Sequence, residues 1–140
     1  MRILGLDYGE KTVGAAVSDG LGLTAQPVKT ITRERSTKLR KTYQELEELI
    51  REYEVGRIVV GKPLRLDGTS GERVERTEEF AAELERRTGL PVEFVDERLT
   101  TREADRILEE TGVAHSARKE YIDKMAAAII LQTYLDMHSA

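Results

Sequence analysis

Acidic side chains occur at three places in this chain where they could act together. Asp7 ends a short apolar run, Asp96 and Glu97 end another, and Asp123 lies within a long helical pattern. Asp is a poor strand residue, so either it opens a turn by bonding its own backbone or it holds a ligand. Three convergent carboxylates would repel one another. Because Mg²⁺ and Mn²⁺ prefer oxygen ligands, these acids indicate a metal site.

The strands that would carry these acids are short apolar runs. The first two flank a polar turn and predict a β-hairpin with a connection of four to six residues. Pro27 confines the third strand to a sheet edge or a bulge. The fourth run is continuously apolar, as in buried parallel strands. The predicted strands are 3–6, 13–17, 23–31, 57–61 and 90–95.

Helical patterns alternate with these strands. Ser36 is the expected N-cap of the first helix, and Thr69 with Glu72 forms a capping box at the start of the second, which Gly89 ends. Thr100 with Glu103 forms another capping box. The predicted helices are 36–53, 69–88, 100–112 and 116–137. The order predicts one α/β domain over residues 1–140, in which an antiparallel hairpin unit precedes parallel strands.

In such sheets, sites form beyond the carboxyl ends of the strands, where Asp7 and either Asp96 or Glu97 would lie. Asp123 is expected on the border of the buried stripe of the last helix. The predicted stripe consists of Ile122, Met125, Ala126, Ile129, Ile130 and Thr133. A carboxylate at the edge of a buried face is costly unless another group pairs with its charge. Lys119 could be that partner in a purely structural ion pair.

Composition narrows the possible functions. The chain has 140 residues, a formal net charge of −4, no cysteine and two histidines. Thiol chemistry and disulfides are therefore excluded, and a metal would be held by oxygen or histidine, with oxygen favoured because the histidines are so few. No apolar run is long enough to cross a membrane and no signal peptide precedes the first strand. A soluble cytoplasmic protein without a membrane partner is expected.

Local positive charge offers contacts for phosphate. Five bases accompany one acid, Glu34, around the start of the first predicted helix, where they oppose the helix dipole. They favour phosphate binding, although a solvated face would also explain them. Aromatic residues are few, so recognition would use backbone and shape. The candidate nucleic-acid-binding residues are Arg33, Arg35, Lys38, Arg40, Lys41, Lys62, Arg98 and Arg102.

Four motifs resemble the YqgF (RuvX) family of the ribonuclease H-like superfamily, described both as Holliday-junction resolvases and as pre-16S rRNA nucleases. They are LGLDYGEKTVG at 4–14 with VSD at 17–19, VGKP at 60–63 with GT at 68–69, VDERLTT at 95–101, and Lys119 with IDKMAA at 122–127. The resemblance implies a five-stranded mixed sheet flanked by helices. It also implies that Asp7, Glu97 and Asp123 hold two Mg²⁺ or Mn²⁺ ions, with Lys119 orienting water or contacting phosphate.

The resemblance further implies a metal-dependent endonuclease that hydrolyses phosphodiester bonds, most directly in 5′-end maturation of pre-16S rRNA during ribosome biogenesis. One alternative is a resolvase of branched DNA in recombination. A monomer or a homodimer would serve, and a dimer would suit a two-fold junction. Another alternative is a non-catalytic nucleic-acid-binding module. The Asp7-Tyr8-Gly9 segment also resembles a phosphate-binding motif of actin-like ATPases and sugar kinases, which need two such domains.

Overall fold

The computed structural model describes residues 1–35, 38–64, 71–97 and 115–138, with side chains in the last segment from Ile122 onward. The elements are β1 (Arg2–Tyr8), β2 (Thr12–Ser18), β3 (Ala25–Thr32), α1 (Arg40–Glu52), β4 (Val55–Lys62), α2 (Glu72–Thr88), β5 (Val92–Asp96) and α3 (His115–His138). None of these helices is long and apolar enough to span a membrane.

The described strands form one mixed sheet in the order β3-β2-β1-β4-β5. The first three strands pair antiparallel, and β4 pairs parallel with both β1 and β5. This arrangement confirms the predicted α/β fold. The hairpin connection is shorter than expected, because only residues 9–11 separate β1 from β2. The Gly9 amide closes this turn by donating to the Thr12 carbonyl at 2.7 Å.

Strand β3 is an edge strand, as Pro27 predicts. It pairs with β2 alone, and the register shifts between Ala15 and Ala16, beside the position of Pro27. Proline cannot donate a backbone hydrogen bond, so it is tolerated at an edge with an irregularity. The strand begins at Ala25, two residues later than predicted, because the amides of Leu23 and Thr24 donate to the Asp19 carboxylate in the β2–β3 turn.

Helices cover both faces of the sheet. Side chains alternate across a strand, so Leu4 and Leu6 of β1 pack in one core with α1 and α2. On the opposite face, Val59 and Val95 pack in a second core with α3. The sheet is therefore the middle of three layers, and α3 alone among the described helices covers the second face.

Two helix starts differ from the prediction. Leu39 is the N-cap of α1 and makes no side-chain capping bond, so the helix begins three residues after the start that Ser36 predicts. Helix α2 begins at Glu72, with Gly71 as an extended N-cap, so Glu72 is the first helical residue rather than the third. Ser36, Thr69 and the predicted helix 100–112 lie outside the described residues. Gly89 ends α2 in the left-handed conformation with φ 71°, as predicted.

Candidate active site

The end of β1 directs Asp7 toward α3. Leu4 and Leu6 face the other core, so by alternation Gly5 and Asp7 face α3. Packing at Gly5 agrees, because a Cβ atom there would lie 2.6 Å from the Leu131 Cβ. The side chain of Asp7 therefore lies at the carboxyl end of β1, on the face of the sheet that α3 covers.

Glu97 reaches Asp7 across the end of β4. A Cβ atom at Gly61 would lie 2.7 Å from the Glu97 Cγ, so only glycine leaves this space for the Glu97 side chain. The carboxyl groups of Asp7 and Glu97 are joined by a hydrogen bond. Gly61 follows Val60, which pairs with Leu6 of β1. Because Gly61 has no side chain, β4 lets Asp7 and Glu97 approach each other although they are far apart in sequence.

The geometry distinguishes Glu97 from Asp96. Val95 packs in the α3 core, and by alternation Glu97 returns to that face while Asp96 is directed to the other. Asp96 pairs with Lys62 in the β4–β5 register. The structure therefore places Glu97, and not Asp96, against Asp7.

Asp7 has an unusual electrostatic environment. Burial raises its pKa well above the ordinary value, and both the hydrogen bond to Glu97 and the charge of Glu97 act in the same direction. The charge of Arg73 on α2 lowers this pKa, but less strongly. In the metal-free protein the Asp7 carboxyl group therefore resists ionisation, and a divalent cation bound beside it would favour its ionised form.

Asp123 lies beside this pair through the packing of α3 on β2. Gly14 is the β2 partner of Asp7, and a Cβ atom at Gly14 would lie 1.8 Å from the Asp123 carbonyl oxygen. The helix backbone therefore rests on the strand adjacent to Asp7. The Oδ2 atom of Asp123 is buried from solvent.

The predicted phase of the α3 stripe is wrong. The helix residues that are buried are Ala127, Ala128, Ile130, Leu131, Tyr134 and Leu135. Asp123 lies one turn before Ala127, on the same side of the helix. It is therefore in line with the buried residues, at their N-terminal end, and not on their border. The helix is apolar around much of its circumference, and periodicity alone could not fix which side faces the sheet.

The donor set fits a hard divalent cation. Asp7 and Glu97 present carboxyl oxygens at one point, and Asp123 lies on α3 above the neighbouring strand β2. Within the part of the chain that the structure describes, no three acidic or histidine side chains are already arranged around a common ion position. The structure thus brings together two of the three predicted ligands. The side chain of Lys119 and all of Arg98 and Arg102 lie outside the described residues.

The predicted basic patch divides into two environments. Arg33 is buried at 9 % exposure, and its Nη2 donates to the Gly9 carbonyl at 2.7 Å. The others of the group are exposed: Arg35, Lys38, Arg40 and Lys41. Lys62 is partly buried and lies over Phe94, with Nζ 5.1 Å from the ring centroid. Arg33 therefore differs from the other four bases of the group in being buried.

The sequence analysis did not predict how three residues contribute to the site: Arg73 by its charge, and Gly14 and Gly61 by their packing. The two glycines were detectable, since glycine inside a strand often marks a close approach of another element. Arg73 gave no signal, because an arginine in the first turn of an amphipathic helix is ordinary.

Comparison with known proteins agrees with this geometry. The family model described as "RuvX: Holliday junction resolvase" matches residues 1–137. The "Putative pre-16S rRNA nuclease" of Lachnospira eligens is 59% identical over 136 residues, covering 97% of each chain. The protein of the same name from Listeria innocua is 53% identical, covering 97% of this chain and 98% of its own.

Solved structures share the fold at low sequence identity. Thermus thermophilus RuvC in complex with a Holliday junction substrate superposes with a TM-score of 0.60 at 14% identity. The match covers 99% of this chain and 96% of RuvC. The chain therefore shares the RuvC fold.

Proposed function

Because the chain belongs to the RuvX family, described as Holliday junction resolvases, we propose that it is a metal-dependent nuclease that hydrolyses phosphodiester bonds in structured nucleic acid. The observation that carries the proposal is the hydrogen-bonded pair of Asp7 and Glu97 at the carboxyl ends of β1 and β5. Two carboxyl groups held so close together have little structural value of their own. They are explained if they hold cations.

Asp7, Glu97 and Asp123 are the residues that would hold one or two Mg²⁺ or Mn²⁺ ions. Ions so bound activate a water molecule and neutralise charge on the phosphate. Asp7 acts as the central ligand because it belongs to the middle strand of the sheet. Glu97 and Asp123 complete the oxygen set from either side, and Lys119 orients water or contacts the phosphate.

The basic residues bind the substrate and take no part in the chemical step. Arg35, Lys38, Arg40 and Lys41 lie on the exposed side of the chain before and at the start of α1. With Lys62, Arg98 and Arg102, they bind the nucleic-acid backbone through charge. This mode of binding fixes orientation and carries little base specificity.

The substrate we propose is the 5′ leader of pre-16S rRNA. Its support is the name borne by relatives that are more than half identical over nearly the whole chain. The second candidate is branched DNA, which the family description favours. In that case a homodimer would present two active sites to the two-fold junction.

The deciding experiment offers both substrates, side by side, to the same purified protein with Mg²⁺ or Mn²⁺. We expect Asp7→Asn and Glu97→Gln to abolish cleavage of the true substrate. Asp96→Asn is the matched control, since it removes the neighbouring carboxylate on the opposite face. Cleavage that survives Asp7→Asn, or is abolished equally in Asp96→Asn, overturns the assignment.

A further inference from the structure

A recess lies on the face of the sheet opposite to Asp7. It has a volume of about 480 Å³ and is lined by residues of β1, α1 and α2 and of the segment after β3, among them Tyr8, Arg33, Tyr43, Arg73 and Thr77. This volume lies within the usual range for small-ligand pockets. Tyr8 follows Asp7 directly in β1, so the recess begins one residue from the candidate active site.

Aromatic rings give this recess a rigid wall. Tyr8 and Phe80 are stacked with centroids 4.2 Å apart, and Tyr43 also stacks on Phe80 with centroids 5.6 Å apart. The guanidinium carbon of Arg33 lies 5.0 Å from the centroid of the Tyr8 ring. The cation is therefore held in place by an aromatic surface and by its hydrogen bond to the Gly9 carbonyl.

Arg33 is a buried cation, and some of its guanidinium N–H donors have no acceptor within the part of the chain that the structure describes. Only 9 % of the residue is exposed. Its Nε and Nη1 atoms have no hydrogen-bond partner in the described residues. Burial also lowers its pKa. Leaving charged donors unsatisfied in a buried place is unfavourable. An anion in the recess would relieve this once the Arg33 side chain turns toward it.

The charges that line the recess have both signs, so an anion there would be bound by particular arginines and not by a general positive field. Arg33, Arg73 and Arg76 line it together with Glu10 and Glu79. Arg76 is engaged with Glu72 at 2.7 Å. Arg73 is exposed and can turn its side chain toward the recess. The planar fork of arginine suits the oxygens of a phosphate.

We propose that this recess is a phosphate subsite, in which Arg33 and Arg73 bind a backbone phosphodiester of the same nucleic-acid strand that is cleaved at Asp7. The inference rests on the proposed nuclease function. The strand would pass around the carboxyl end of β1, because Asp7 and Tyr8 present their side chains to opposite faces of the sheet. Arg33 thus positions the substrate and takes no part in the bond-breaking step.

The test measures binding in the presence of EDTA, so that its result does not depend on cleavage. The probes are single-stranded oligonucleotides that each carry one uncharged methylphosphonate at a different position. In the wild-type protein we expect one position to weaken binding about tenfold, as expected for a charge-assisted hydrogen bond, and the phosphates that the exposed bases contact to give smaller effects that do not depend on Arg33. In Arg33→Gln that position should have no effect, because the variant no longer binds the phosphate there.

Arg87→Gln is the matched control. Arg87 lies over Tyr43, 4.5 Å from the ring centroid, but is paired with Glu83 and does not line the recess. Its replacement should leave the position dependence intact. Arg73→Gln is the second variant, since Arg73 is exposed and its replacement leaves the Arg33–Gly9 hydrogen bond in place.

Inorganic phosphate is titrated in parallel to separate a nucleic-acid subsite from a site for free phosphate. Arg33-dependent binding of inorganic phosphate without any position effect in the oligonucleotides overturns the proposal. A position effect that persists in both Arg33→Gln and Arg73→Gln also overturns it. Failure of cleavage with every substrate would remove the proposed nuclease function, whereas the binding result would still stand on its own.

Discussion

The carbonyl group of Asp123 lies directly on Gly14, so closely that a Cβ atom at position 14 would stand 1.8 Å from the carbonyl oxygen. Gly14 is also the antiparallel partner of Asp7. One glycine therefore sets both the height of α3 above the sheet and the distance of Asp123 from the acid pair. The contact is between two backbones, so no change of side-chain conformation can relieve an added methyl group.

Gly14→Ala is expected to destabilise the fold and to abolish any activity that needs Asp123 near Asp7. Overpacking of this kind typically costs about 1–3 kcal/mol, and a backbone clash places the effect at the upper end of that range. Urea unfolding measures the change. Gly20→Ala is the control, because a Cβ atom at Gly20 meets nothing within 4 Å. Equal stability of the two variants would contradict this close packing of α3 on β2.

Gly61→Ala should impair metal binding more than it lowers the stability of the fold. The added Cβ would lie 2.5 Å from the Ile130 Cδ1 and 2.7 Å from the Glu97 Cγ. Because these atoms belong to side chains that can rotate, the loss of stability should be smaller than in Gly14→Ala. Glu97, however, would be displaced from Asp7. We therefore expect a clear reduction of Mg²⁺-induced thermal stabilisation, measured as the shift in Tm on adding the ion.

Asp7→Asn is expected to stabilise the metal-free protein at neutral pH. The folded-state pKa of Asp7 is raised by burial and by Glu97, so the stability that this group contributes is present below its unfolded pKa. It is lost as pH rises through the raised folded pKa. The advantage of the Asn variant should therefore grow with pH across this window. Unfolding curves in EDTA at several pH values measure it.

The same variant provides a metal test. If Asp7 is the central ligand, Mg²⁺ should raise the Tm of the wild-type protein much more than that of Asp7→Asn. Asp96→Asn should respond to Mg²⁺ as the wild-type protein does. An equal response of Asp7→Asn and wild type would remove Asp7 from the metal site.

Much of this arrangement was predictable because local patterns and packing agree. The apolar runs predicted the strands, and Pro27 identified an edge strand. The alternation rule could not choose between Asp96 and Glu97, because it depends on where β5 ends. The phase of α3 and the burial of Arg33 depend on contacts with distant elements. A charged residue in a basic run has the same sequence signal whether it is exposed or, as at Arg33, enclosed between a hairpin and two helices.

The exposed bases are expected to affect substrate binding without affecting turnover. Arg40→Gln with Lys41→Gln should weaken nucleic-acid binding and reduce the salt dependence, by about one unit of slope for each phosphate that is no longer bound. The value of kcat should change little, because these interactions are equal in the ground and transition states. Fluorescence anisotropy at several salt concentrations and single-turnover cleavage measure the two effects.

Arg51→Gln with Arg86→Gln controls for net charge, since it removes the same number of exposed bases elsewhere. Lys119→Ala should show the opposite pattern to the Arg40/Lys41 variant, with a lower kcat and a modest decrease in affinity, because Lys119 is proposed to act at the scissile phosphate. If the Arg40/Lys41 variant and its charge control have the same affinity and salt slope, the start of α1 is a solvated face. The docking surface would then lie around Lys62, beside the end of β4.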